Sequence, residues 1–157
     1  MAVEIGTHMK HDGWKGLFGL DLVVEASTGM AYLIEINARQ PASTTFESWL
    51  QDRSVATYTS ELSTFVAHLR ACLGEDLSEY SLIPVEHGAQ ILQRMTKDIT
   101  DVSQEKISAI RNLDCNVIAY DERKPGAELL RIQSKESFIQ NHNVVTKKGS
   151  DITDILQ

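Results

Sequence analysis

Positive charge is in short supply in this chain. Fifteen Lys and Arg stand against 22 Asp and Glu, giving a formal net charge of −7 and a pI near 5.2. The densest basic piece is only Lys147-Lys148. A nucleic-acid partner is not expected, because phosphate backbones are held by clustered cations. Cysteine is scarce as well. Cys72 and Cys115 stand alone without a C-x-x-C partner, which reads as two reduced thiols in a cytoplasmic protein, a disulfide between them being the less favoured alternative. No stretch approaches the ~18 apolar residues of a membrane span. The amino end lacks the charged-then-apolar pattern of a signal peptide. Internal repeats and low-complexity tracts are also missing. What is present is ordinary globular material: 157 residues, 42% hydrophobic, enough for one domain or one with a small appendage.

The pattern along the chain predicts an α+β fold. A short helix over Met1 to His11, stopped by Gly13, leads to a strand over Leu17–Val24. Ala26-Ser27-Thr28-Gly29 supplies a turn, and Met30–Asn37 returns as a second strand, so the two form an antiparallel hairpin. Both faces of the pair are mostly apolar, which predicts that it lies inside a layered fold. A helical region follows the loop Arg39–Thr45. There Leu62, Phe65, Val66, Leu69 and Leu73 recur at helical spacing before Gly74. Residues Glu75 to Pro84 read as a connector, dividing the chain into domains at 1–83 and 84–157. Beyond it, strands are expected at Ala89–Gln93, Asn116–Tyr120 and Leu129–Gln133. A helix is expected over Asp101–Leu113, opened by a capping box of Asp101 and Gln104. The last fifteen residues are polar and are expected to fray.

The run YLIEINARQPAS (Tyr32–Ser43) carries the chemistry. On a strand, residues two apart share a face, so Glu35 and Asn37 leave one side together, with Arg39 next in the row. The short turn places Asp21 directly across from Glu35. Like charges facing each other on paired strands destabilise a sheet unless a cation lies between them or one is protonated. Two carboxylates and an amide oxygen beside a guanidinium suit Mg²⁺ with a phosphate ligand. The competing reading makes Asp21 and Glu35 surface groups of a sheet edge, paired with lysines. The residues alone leave both open.

The stretch GWKGLFGLDLVV…MAYLIEINARQPAST resembles the closing section of the ATP-grasp superfamily, in which ATP activates a carboxylate as an acyl phosphate for attack by an amine. The shared pattern is a glycine-rich lead-in (Gly13, Gly16, Gly19), an acidic residue in the next strand, then Glu-x-Asn and an arginine two further on. It covers about Gly13 to Thr45. The resemblance implies the carboxyl-terminal lobe of such a fold, an antiparallel sheet with packed helices, followed by a small β-rich appendage. It implies ATP and Mg²⁺ as cofactors, with Asp21, Glu35 and Asn37 as metal ligands and Arg39 at the transferring phosphate as the catalytic residue. Ser43 and Thr44 would face the substrate, with backbone amides of that loop contributing. A small-molecule carboxylate and an amine would be the substrates. The other nucleotide-gripping lobes of the family precede the matched region, so the chain is expected to be a fragment of a longer ligase, or to receive those lobes from a partner chain, and to be inactive alone. The strands of the appendage either cover the sheet or form a homodimer contact, and the sequence leaves both open. A non-catalytic remnant lobe, serving as a binding or assembly module, is the alternative.

Other residues invite blander readings. His8 and His11 are expected to be solvated, and His68 to be a satisfied or half-exposed histidine beside core positions. Trp14 and Trp49 are expected to pack against the sheet. Neither cysteine has a His–Asp pattern to activate it. The three glycines do not form a phosphate loop, since no G-K-[ST] follows and they lead into a strand. They suit turns and close backbone approach.

Overall fold

A computed structural model describes residues 1–54, 60–140 and 144–157. The chain divides into two compact units, Met1–Val85 and Glu86–Gln157.

Unit 1 begins with α1 (Ala2–His11), whose last turn carries His8, Lys10 and His11, the cation-rich end that a helix dipole favours. The chain then runs through β1 (Gly19–Val24) and β2 (Ala31–Asn37), an antiparallel hairpin whose turn places Gly29 at φ +70°. Next come α2 (Thr44–Gln51), β3 (Glu61–Leu62), α3 (Thr64–Cys72) and β4 (Ser81–Leu82). β3 and β4 pair in parallel over two residues each. The part of the expected helical region at 55–59 lies outside the described residues. Leu62, read from spacing as helical, sits in β3, because the helix begins only at Thr64.

A polar network joins α2 to α3. Gln51 is 1% exposed. Its Nε2 donates to Thr64 Oγ1 (3.0 Å) and to the Ile83 carbonyl (2.7 Å), and its Oε1 accepts the Thr64 N–H (2.7 Å). Ser48 Oγ accepts the Phe65 N–H at 2.9 Å, and Thr64 Oγ1 donates to Glu47 at 2.9 Å. The first amides of a helix have no partner within it. Here side chains of α2 satisfy those of α3, in place of a cap from Ser63, which makes none. Phe46, Leu62 and Ile83 supply the buried apolar part of this unit.

One expectation fails here. The β1–β2 pair is not enclosed: Leu22, Val23, Val24, Tyr32, Leu33, Ile34 and Ile36 are all exposed. No described helix of unit 1 lies over either face of the hairpin closely enough to bury them. Phe65, Val66 and Leu69 on α3 are likewise exposed, so the apolar stripe of that helix is not core within this unit.

Unit 2 packs α4 (Gln104–Arg111) and α5 (Lys147–Leu156) with a three-stranded antiparallel sheet in the order β5 (Ala89–Arg94), β7 (Glu128–Ser134), β6 (Asn116–Ala119). Ile107, Ile110, Val117, Leu130, Ile132 and Ile152 form its core. Two-residue strands β8 (Ile139–Gln140) and β9 (Val144–Val145) precede α5. The cap of α4 is Ser103, whose Oγ accepts the Lys106 N–H at 3.3 Å, because the helix starts at Gln104; Asp101 instead holds Arg123 at 3.2 Å. The tail does not fray. Thr146 caps α5 by accepting the Gly149 N–H (3.2 Å), and Ile152 is fully buried. Residue 143 of that tail lies outside the described residues.

Candidate functional site

The approach to the hairpin is shaped by glycine. Gly16 has φ +94°, and a Cβ there would lie 2.5 Å from His68 Nδ1 and 3.0 Å from Cys72 Sγ. No L side chain fits that position, both for conformation and for space. Gly19, by contrast, would meet only ordinary van der Waals neighbours, Asn37 Cβ and Pro41 Cγ.

β1 then pairs with β2 in the register Gly19↔Asn37, Leu20↔Ile36 and Asp21↔Glu35. The next step is Leu22↔Leu33, so Ile34 is an extra residue in β2, a bulge beside the acidic pair. Ile34 is 64% exposed. Directly paired residues share a face, so the Asp21 and Glu35 carboxylates leave the same side of the hairpin. Asn37 lies two residues beyond Glu35, on that side. Its Nδ2 donates to Asp21 Oδ2 at 3.2 Å. Its Oδ1 accepts from Arg39 Nη2 at 3.3 Å, and Arg39 Nη1 donates to the Gln40 carbonyl at 3.5 Å. The four residues singled out in the sequence therefore form one group, with Asp21, Asn37 and Arg39 linked by hydrogen bonds and Glu35 opposite Asp21.

All four are at the surface or close to it. Among the described residues neither Asp21 nor Glu35 forms an ion pair, so the lysine partners of the competing reading are not found among them. Among the described residues no three His, Cys, Asp or Glu side chains cluster as a metal site; the acidic pair has two, and its further oxygen is an amide's.

The loop after Arg39 leads into α2. Ser43 is exposed at its start and makes no side-chain cap, leaving the first turn of the helix without one. Thr44 is a correction: it is 1% exposed, and its N–H donates to the Pro41 carbonyl at 3.1 Å. As the first helical residue it faces the interior of unit 1, so its hydroxyl is not presented to a ligand.

No family model matches the sequence, and no curated protein matches it either. Solved structures do. The phosphoribosylaminoimidazole carboxylase ATPase subunit from Aquifex aeolicus is similar over 99% of this chain, with a TM-score of 0.52 and 17% identity. The chain is therefore similar in fold to part of that subunit. It spans 43% of the length of that subunit. The N5-carboxyaminoimidazole synthase from Aspergillus clavatus, solved with ADP and 5-aminoimidazole ribonucleotide, is similar over 89% of this chain and 34% of its own, at 19% identity and a TM-score of 0.48, too low to weigh in the argument. At these identities the likeness concerns fold, and the chemistry rests on the side chains.

Among the described residues no helix is long and apolar enough to cross a membrane. Trp49 stacks on Phe46 with ring centroids 6.0 Å apart, and Arg53 lies 4.4 Å above it, while His8 and His11 are exposed on α1. Both cysteines are free, Cys72 exposed and Cys115 buried. Burial pushes the Cys115 thiol up from its ordinary value. Two features escaped the sequence reading: the Gln51 network, whose partners are 13 and 32 residues away, and the bond from the Leu17 N–H to His68 Nδ1, 51 residues apart. Neither leaves a local pattern.

Proposed function

We propose that the chain carries the metal-and-phosphate half of the site of an ATP-dependent ligase, one that activates a carboxylate as an acyl phosphate for attack by an amine. The carrying observation is the Asp21–Glu35 pair: two carboxylates in direct register on one face, neither in a direct ion pair among the described residues, with Arg39 reaching Asp21 only through Asn37. Such a pair is repulsive as it stands, and its donor set fits a hard cation that takes one or two carboxylates and completes its shell with phosphate oxygens and water. Asp21 and Glu35 would hold such an ion, which would supply positive charge against that of the phosphates.

The chain's own residues divide the work. Asp21 and Glu35 supply the charge that holds the ion. Asn37 orients the group, tying Asp21 on one side to Arg39 on the other, and its amide oxygen is the third candidate ligand. Arg39, held beside Asn37, would supply positive charge where negative charge develops in phosphoryl transfer. Ser43 and the backbone amides at the uncapped start of α2 suit an anionic substrate group. The name of the Aquifex protein, an ATPase subunit, accords with ATP use. The remaining nucleotide contacts would come from lobes joined to this chain or supplied by a partner, so turnover by the chain alone is not expected.

Calorimetric titration tests this reading. Mg²⁺ and ATP together should give binding that neither gives alone, and Glu35→Gln should abolish it with the fold intact. Absence of joint binding would favour a remnant lobe. Placed in a longer relative, the same substitution should stop turnover; retained turnover would remove the metal role.

A further inference from the structure

His68 and Cys72 lie one turn apart on α3, and both hold the lead-in to β1. His68 Nδ1 accepts the Leu17 N–H at 3.0 Å, and Cys72 Sγ reaches the Lys15 carbonyl at 3.8 Å. Between those two backbone groups lies Gly16, pressed so closely on the imidazole that a methyl group there would overlap it. Leu17 is two residues from the first residue of β1 and four from Asp21, so the position of β1 at the site depends on where this segment is pinned.

A ring nitrogen that accepts a hydrogen bond carries no proton; the ring's single proton is then on Nε2. Adding a second proton converts Nδ1 into a donor facing a donor, and the bond is lost. The titratable groups beside the ring are few. Cys72 Sγ, on the same helix, stands 3.8 Å from Nδ1 and 4.0 Å from Nε2. Lys15, on the lead-in, turns its ammonium toward Gly74, 3.2 Å from where a Cβ there would lie. Neither is a carboxylate, and among the described residues His68 forms no ion pair, so the only group able to accept from a charged ring is the weakly accepting Cys72 sulfur.

We propose that His68 is a positioning residue, a proton-sensitive latch that fixes the Lys15–Leu17 segment, and through it Asp21, while its ring is neutral and releases the segment when the ring is charged. The consequence for ligand binding rests on the reading of Asp21 as part of a magnesium–nucleotide site; the latch itself does not. The bond is present while the ring is neutral and lost once it carries a second proton.

The experiment is amide hydrogen exchange by NMR on the full chain, with the His68 ring protons followed in the same samples. Protection of the Leu17 amide, corrected for the intrinsic rate, should fall about five- to tenfold as the ring gains its proton. His68→Asn places a non-titrating oxygen near the position of Nδ1 and should give a flat profile with protection kept. His68→Ala should give a flat profile with protection lost. Leu17 protection that ignores the ring's titration, or that changes with pH alike in His68→Asn, overturns the latch. A second arm measures joint Mg²⁺–ATP binding over the same titration. Affinity whose pH profile in the native chain departs from that of His68→Asn as the latch opens supports the coupling to Asp21; identical profiles in both, set by protonation of the ATP phosphates alone, overturn that coupling. Should joint binding be absent at every pH while Leu17 still follows the ring, the nucleotide-site reading fails and the latch stands.

Discussion

Asp21 and Glu35 face each other in the last regular step of the β1–β2 ladder before the bulge at Ile34. Neither forms a direct ion pair among the described residues, Arg39 reaching Asp21 only through Asn37, so the pair opposes the hairpin that carries it. Removing one charge should therefore help the fold and harm the site. Glu35→Gln and Asp21→Asn are each expected to raise stability without divalent ions by no more than about 1 kcal/mol. They should also erase the added stabilisation that Mg²⁺ with ATP gives the native chain. Thermal unfolding with and without the ligands checks both halves. Added salt should stabilise the native chain more than either variant, since screening weakens the repulsion.

Gln51 is the side chain on which α2 and α3 depend, with three hydrogen bonds made out of contact with water. Gln51→Ala would leave the Thr64 N–H and the Ile83 carbonyl buried without partners, each costing about 1–3 kcal/mol. A loss of about 2–4 kcal/mol in unit 1 is expected, read as faster exchange of amides in α2 and α3. Unit 2 amides should be unaffected. An unchanged exchange pattern would show that water replaces Gln51 there.

Legibility in the sequence followed the range of the interactions. The pairing of Asp21 with Glu35 could be read from a turn near Thr28, but its cause could not: beside the turn the ladder runs Val24↔Ala31 to Leu22↔Leu33, which would set Asp21 against Ile34, and the bulge at Ile34 brings Glu35 opposite Asp21 instead. The exposure of that hairpin could not be read, because apolar residues on both faces look the same whether they are covered or not, and nothing in Leu20–Val24 says what lies above them. Thr44 is placed toward a substrate by the family resemblance, which carries no information on which side of α2 its first residue falls; here that residue is buried. The tail misled through composition. Lys147-Lys148-Gly149-Ser150 looks soluble, yet Ile152, Ile155 and Leu156 fall at helical spacing behind the Thr146 cap, a signal that was there to be counted. The Leu17–His68 and Gln51–Ile83 bonds join residues too distant for any local pattern to show them.

α5 provides a sharp test of packing. Glycine inside a helix normally gains about 1 kcal/mol on replacement by alanine. At Gly149 the added methyl would sit 2.6 Å from the Phe138 carbonyl oxygen and 2.7 Å from Val145 Cγ1. Backbone cannot yield cheaply, so Gly149→Ala should destabilise unit 2 by about 1–3 kcal/mol, the overpacking range. Ile152→Ala, at a fully buried site, should cost about 2–5 kcal/mol by leaving a cavity. Urea unfolding measures both. A stabilising Gly149→Ala would mean that α5 stands away from β8 and β9.

The two thiols should separate by reactivity and by pH. Cys72 is exposed, whereas Cys115 is buried in the core of unit 2 and its thiol is pushed up, chiefly by loss of water around the thiolate, with Lys148 opposing. A maleimide at neutral pH should therefore label Cys72 fast and Cys115 only on unfolding. The linkage has a definite sign. In the unfolded chain a thiol ionises at about pH 8.5, while folded Cys115 holds its proton to a higher value. Below that point both states are protonated and the thiol contributes no pH dependence. Above it the unfolded state gains from ionising, so the stability of unit 2 falls as pH rises. Cys115→Ala should remove that part of the alkaline slope, at the cost of a small cavity beside Ile110. Denaturant midpoints for the native chain and the variant, taken from pH 7 to 10, should run parallel below pH 8 and converge above it; curves parallel throughout would show that Cys115 ionises in place.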